Sequence, residues 1–117
     1  SAIFVAGQDK EIVAIGSYAK EGDDRAEVAF VVREDCQGQG IGSYLLELLE
    51  VIAKENGYNA FAATVLRENA SMLRVFKKRY PSAQVTFSSG SEVLVHMDFA
   101  DAKAHPEARP EAGVRAD

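Results

Sequence analysis

Residues 3–6 and 11–19 are short runs rich in Ile, Val and Ala, and the step between them, Gly7-Gln8-Asp9-Lys10, has the composition of a turn. They read as a β-hairpin. After the charged turn Lys20-Glu21-Gly22-Asp23-Asp24, residues 25–32 read as a third antiparallel strand, so three strands in meander order precede the first helix. From Tyr44 the period changes: Leu45, Leu48, Leu49, Ile52 and Ala53 recur at helical spacing, while Glu47, Glu50, Lys54 and Glu55 fall largely elsewhere on the cylinder. Glu50 and Lys54, four apart, read as an exposed helix pair. Asn56-Gly57 supplies a stop.

Residues 59–66 then read as a buried strand and residues 69–79 as a second helix, closed by Tyr80-Pro81. Residues 83–87 and 92–99 finish with a hairpin about Ser88-Ser89-Gly90-Ser91, in which Val93, Val95, Met97 and Phe99 alternate as a half-buried strand does. The pattern predicts one α/β domain over residues 1–100, with a mixed, mostly antiparallel sheet of about six strands and two main helices. From Asp101 the chain carries Ala, Pro, Glu and Arg without period, so residues 101–117 read as a disordered or loosely attached tail.

A chain of 117 residues, 47% hydrophobic and 26% charged, suits one ordinary globular domain. A formal charge of −5 argues against nonspecific nucleic-acid binding, which needs a basic surface, and suits a cationic acceptor. The single Cys36 permits no internal disulfide, and no apolar run has membrane-spanning length. No signal peptide is visible at Ser1, so the cytoplasm is the expected location and no membrane partner is expected.

The densest chemistry lies in Cys36-Gln37-Gly38-Gln39-Gly40-Ile41-Gly42-Ser43, between a strand and a helix. Glycines allow backbone N–H groups to converge, and a helix N-terminus adds unpaired donors and the positive end of its dipole. Three glycines in five residues exceed what a tight turn needs, so a phosphate cradle is expected. No Gly-Lys-Ser/Thr ending follows, which excludes a nucleoside-triphosphate loop, and the spacing is not Gly-x-Gly-x-x-Gly.

Gln37-x-x-Gly40-x-Gly42, after a strand and before a helix, resembles the Arg/Gln-x-x-Gly-x-Gly/Ala signature of the GCN5-related N-acetyltransferases, whose loop binds the pyrophosphate of acetyl-CoA. Val65-Leu66-Arg67-Glu68-Asn69 resembles that family's segment carrying a pantetheine-contacting asparagine, and residues 26–73 are most similar to acetyltransferase domains fused to acyl-CoA synthetases. The resemblance implies acetyl-CoA as cosubstrate, bound by Gln37, Gly38, Gln39, Gly40, Ile41, Gly42 and Ser43 at the pyrophosphate and by the backbone of Phe30, Val31 and Val32 along the pantetheine arm. Asn69 would touch the same arm. A complete domain of this type starts with a further strand and two helices that wall the acceptor side. Without them the first strand would have an open edge, available to a partner domain or a dimer contact.

Acetyl transfer to an amine also needs a base, because an ammonium with a pKa near 10.4 cannot attack. By resemblance Glu27 takes that role, although in a regular strand it faces away from Val28, Phe30 and Val32. The family has a bulge in this strand, which would change that relation. A backbone N–H near Val31 or Val32 would meet the oxyanion. Many relatives place a thiolate-protonating tyrosine seven residues after the asparagine, and here that cofactor-contacting position is Phe76, with Ser71 and Tyr80 as substitutes. Cys36 reads as an inert thiol, His96 and His105 give no metal pattern, and Arg74, Lys77, Lys78 and Arg79 suit a helix C-terminus. The expected activity is acetyl transfer to a primary amine, a protein lysine above all; the alternative is a non-catalytic acetyl-CoA-sensing domain of a larger protein.

Overall fold

The computed structural model describes residues 2–6, 11–38, 40–103 and 113–116. The chain runs β1 (Ala2–Ala6), β2 (Ile12–Lys20), β3 (Arg25–Val32), a 3₁₀ turn (Glu34–Cys36), α1 (Ile41–Glu55), β4 (Ala60–Leu66) and α2 (Ala70–Arg79). β5 (Gln84–Ser89), β6 (Glu92–Asp98), a second 3₁₀ turn (Phe99–Asp101) and β7 (Gly113–Ala116) follow. The strands form one sheet in the order β5-β6-β4-β3-β2-β1-β7. Only β3 and β4 are parallel neighbours; all other pairs are antiparallel. The mixed, mostly antiparallel sheet with two main helices matches the expectation.

Strand alternation divides the sheet into two faces. Ala26 and Val28 of β3, Phe61, Ala63 and Val65 of β4, and Val93, Val95 and Met97 of β6 are buried. With Leu45, Leu46 and Leu49 of α1 and Phe76 of α2 they form the core, so both helices cover this inner face. Phe61 and Phe99 meet edge to face at 4.6 Å between centroids, the geometry that aligns a ring's positive edge with its partner's negative face. The outer face carries Glu27, Val31, Leu66 and Leu94, all exposed.

The feature that shapes the site is a fork. β3 and β4 are in register only at Arg25↔Ala60, Ala26↔Phe61 and Glu27↔Ala62. Beyond those pairs β3 stays bonded to β2 as far as Ala14↔Val32, and β4 to β6 as far as Leu66↔Glu92. Each strand is therefore held by its antiparallel neighbour while the two part from one another, and the edges of residues 28–32 and 63–66 that face the gap have no strand partner among the described residues.

Three expectations are corrected. β1 pairs with β7, from Ile3↔Ala116 to Ala6↔Gly113, so its edge is occupied by the same chain rather than left for a partner. Residues 101–103 are tied down as well: Asp101 accepts from Ser82 N–H at 2.7 Å, and Lys103 N–H donates to the Arg79 carbonyl at 2.8 Å. Residues 104–112 of the expected tail lie outside the described residues. Polar, proline-bearing sequence gave no strand period in 101–117, and pairing with β1 supplies what period did not. Third, Glu50 is no exposed pair with Lys54.

Glu50 is 3% exposed, between α1 and the end of α2. Its Oε1 accepts from the Tyr80 hydroxyl and from Arg79 Nε at 3.3 Å, and its Oε2 meets Arg79 Nη2 at 3.3 Å and Lys54 Nζ at 3.2 Å. Arg79 Nη1 donates to the Lys103 carbonyl. Burial, with the carboxylate beside it, raises the Tyr80 hydroxyl well above the ordinary tyrosine range, so it stays a donor. A buried carboxylate is tolerated because its lone pairs are filled this completely. Among the described residues no helix is long and apolar enough to cross a membrane.

Glu50→Ala leaves the buried Arg79 charge with only the longer contact to Glu47 at 3.9 Å, and a loss of about 3–5 kcal/mol in unfolding free energy is expected from urea denaturation. Tyr80→Phe removes one hydrogen bond to a charged acceptor and is expected to cost about 1–3 kcal/mol in the same assay.

Candidate functional site

The site lies where the fork opens beside α1. β3 ends at Val32, and Arg33 fixes the exit of the strand by donating to Asp35 at 2.6 Å and to Glu11 at 3.0 Å. That hydrogen bond holds the Asp35 carboxyl below the usual carboxylate range and commits the Arg33 charge to its own neighbours. The chain then turns through Gly38 and Gly40, at φ +81° and +82°, a region that costs an L side chain about 1–2 kcal/mol. Gly40 is the N-cap of α1, which has no side-chain cap and no acidic residue in its first turn.

α1 starts at Ile41, three residues before the amphipathic pattern becomes visible. Buried Ile41 and Ser43 anchor the first turn, while Gly42 lines a pocket. The first intrahelical bond is Tyr44 N–H to the Gly40 carbonyl, so the earlier amides of the turn point out of the helix end. Gln39 lies outside the described residues.

Asn69 caps α2. Its Oδ1 accepts from Met72 N–H at 3.2 Å and from the Ser71 hydroxyl at 3.1 Å. Both bonds use the carbonyl oxygen, leaving the Nδ2 donors directed to no described residue. Gln37 plays a similar double part: its Nε2 donates to the Val32 carbonyl at 3.2 Å, tying the glycine loop to the end of β3. Val32, Gln37, Gly38, Gly42, Asn69, Ser71, Met72 and Val75 line one pocket of about 90 Å³. Its floor is apolar, from Val32, Met72 and Val75, and its rim offers backbone and amide donors, which suits a chain ending in an anionic group.

Met72 and Val75 were missed in the sequence, although their separation of three from Asn69 and from each other marks one helix face. Phe76, one turn beyond Met72, lies deeper: it is 2% exposed, belongs to the core and does not line the pocket. Ser71 lines the pocket but gives its proton to Asn69, and Tyr80 is buried with its proton on Glu50, so each hydroxyl proton is already committed. Lys77 reaches the Ala83 carbonyl at 2.8 Å and Arg79 is in the buried network, which leaves Arg74 as an exposed member of that basic run.

Glu27 stands at the closed end of the fork, in the last pair joining β3 to β4. Its register with β2 is continuous from Lys20↔Ala26 to Ala14↔Val32, so no bulge turns it and it projects from the outer face. The backbone of Phe30, Val31 and Val32 runs along the open gap, with Val31 72% exposed. Cys36 is a free, half-buried thiol touched by Arg33. Among the described residues no group of three or more His, Cys, Asp or Glu is placed to hold a metal; His105 lies outside them.

Comparison with known proteins follows the same outline. Residues 1–80 match the model of the Acetyltransferase (GNAT) family. Acetyltransferase Pat of Mycolicibacterium smegmatis is 39% identical over 78 residues, covering 65% of this chain and 23% of Pat. The GNAT domain of S. lividans PAT superposes with a TM-score of 0.68 at 33% identity, over 76% of this chain and 55% of that one. A cAMP-binding acyltransferase from Mycobacterium smegmatis gives 0.69 at 30% identity, over 89% of this chain and 34% of that one. The chain thus spans about a quarter of the length of Pat, and with its fork, glycine loop and capped second helix it belongs to the Acetyltransferase (GNAT) family.

Proposed function

We propose that this domain transfers acetyl from acetyl-CoA to a primary amine, a lysine side chain of a protein, by direct attack with Glu27 as general base. The observation that carries the reading is the fork: a donor-rimmed pocket lies at its mouth, and at its closed end a carboxylate with no partner among the described residues. The pyrophosphate would lie against the amides of Gly38, Gly40, Ile41 and Gly42, and the pantetheine amides would pair with the free edge of residues 30–32. Asn69 Nδ2 would donate to the same arm. A TM-score of 0.68 at 20% identity to yncA of Salmonella typhimurium, solved with its cofactor acetyl-CoA, supports the fold alone. The single free Cys36 is in keeping with a cytoplasmic protein.

The chemistry follows from charge. Glu27 takes one proton from the ammonium, and the nitrogen lone pair attacks the thioester carbonyl. As the C–N bond forms, the C=O electrons move onto oxygen, which a backbone N–H near Val31 or Val32 would meet. Collapse breaks the C–S bond and releases the thiolate, while the nitrogen loses a second proton. In sum, an ammonium and a thioester become an amide, a thiol and one proton. The acidic surface, with a formal charge of −5, favours approach of cationic lysines.

A second reading has one specific observation behind it. Phe76, where many relatives have a tyrosine, has no proton to give, and the hydroxyl protons of Ser71 and Tyr80 are held by Asn69 and Glu50. A domain that binds acetyl-CoA and only senses it would need no proton donor. Turnover of a panel of lysine-containing peptides by the longest natural form, read by mass spectrometry, separates the two readings.

Glu27→Gln is expected to slow transfer by about 10²- to 10⁴-fold while calorimetric affinity for acetyl-CoA stays unchanged; unchanged turnover would remove Glu27 from the reaction. Asn69→Asp retains the oxygen that caps α2 but replaces the free donor with a charge. Its melting temperature should match the parent's, and its affinity for acetyl-CoA should fall by about 1–3 kcal/mol.

A further inference from the structure

The row of residues crossing the outer face at the closed end of the fork holds a second titratable group. Glu27 of β3 is opposite Ala62 of β4, and Ala62 is opposite His96 of β6. All three leave their strands on the outer face, since Ala26, Val28, Phe61, Ala63, Val95 and Met97 fill the inner one. Strands lie about 4.8 Å apart, so the Glu27 and His96 backbones are separated by about 10 Å, with only a methyl group between them. The Ala62 methyl is 2% exposed, and two side chains reaching inward over it from that separation can hydrogen-bond one ammonium or water between them. Among the described residues neither side chain has a hydrogen bond or ion pair, and His96 is half-buried. The next row holds Arg25, Ala60 and Asp98, with Arg25 paired to Glu21 at 3.1 Å.

The proton inventory of the proposed reaction calls for such a group. The nitrogen enters with three protons and leaves, as an amide, with one. Glu27 holds the first of the two lost and cannot take the second until it is discharged. Meanwhile the departing sulfur needs a proton, and the hydroxyl protons of Ser71 and Tyr80 are held by Asn69 and Glu50. We infer that His96 is a second catalytic residue on the acceptor side: as neutral imidazole it accepts an N–H of the incoming ammonium, and then takes the second proton from the nitrogen of the tetrahedral intermediate. It returns that proton, through water in the fork, to the CoA sulfur as the C–S bond breaks. The Glu27 proton goes to solvent, which leaves the one proton released overall.

This inference rests on the acetyl-transfer reading, and the test separates the two. The longest natural form is assayed with acetyl-CoA and the lysine peptides as wild type, His96→Ala and His96→Gln, with folding checked by circular dichroism and acetyl-CoA affinity by calorimetry. Expected are a fall in kcat of about 10²-fold for both variants, unchanged affinity for acetyl-CoA, and partial recovery of His96→Ala when imidazole is added, with no response from wild type. Wild-type rates in the folded variants, or a lost rate that imidazole leaves untouched, would overturn the role of His96 while leaving acetyl transfer standing. Acetyl-CoA binding by the wild type with no turnover of any peptide would overturn both.

Discussion

β3 and β4 lie parallel for only three residue pairs, and the arrangement of the site depends on what stops them there. A parallel pair bonds slightly less strongly per residue than an antiparallel one. Here each strand has an antiparallel neighbour along its remaining length, β2 for one and β6 for the other. The sheet therefore splits without losing its margins, and the gap becomes a slot with hydrogen-bonding backbone on either side. The start of α1, the capped start of α2 and the lining of the pocket are all arranged around the mouth of that slot.

Two amides give the mouth its definition by tying the glycine loop and the second helix in place. Asn69 spends its oxygen on starting α2, and Gln37 spends its nitrogen on closing β3. Neither bond would be available if the loop or the helix were displaced, so the local fold sets the donor positions before any ligand arrives. Arg33, four residues before Gln37, has its charge engaged by Glu11 and Asp35. Under the proposed function, the pyrophosphate would be met by backbone amides and the helix end, whose geometry is fixed by the chain rather than by flexible side chains.

Period and punctuation made most of this legible in the sequence. The six strands and two helices follow from alternation and helical spacing, and the glycine loop stood out because turn chemistry alone does not need three glycines in five residues. What escaped did so for identifiable reasons. Glu50 carries a charge, and its burial depends on Arg79 and Tyr80, twenty-nine and thirty residues away, which no local pattern connects. α1 begins three residues early because a left-handed glycine and one buried isoleucine start it before the apolar stripe repeats. β7 has no period of its own and owes its strand to β1. The juxtaposition of Glu27 and His96 is a property of register across three strands, which sequence does not display.

The sheet also acts as a partition. Its helix side holds the pocket, its outer side holds Glu27, and the slot is the one break between them along β3 and β4. For a transfer reaction carried out through such a break, the two substrates use separate doors. Neither product then has to leave before the other, so a ternary complex is the natural intermediate and binding order is set by affinity alone. A molecule that joins a CoA-like arm to a lysine-like arm would be held from both sides at once, as a rivet is held by its two heads.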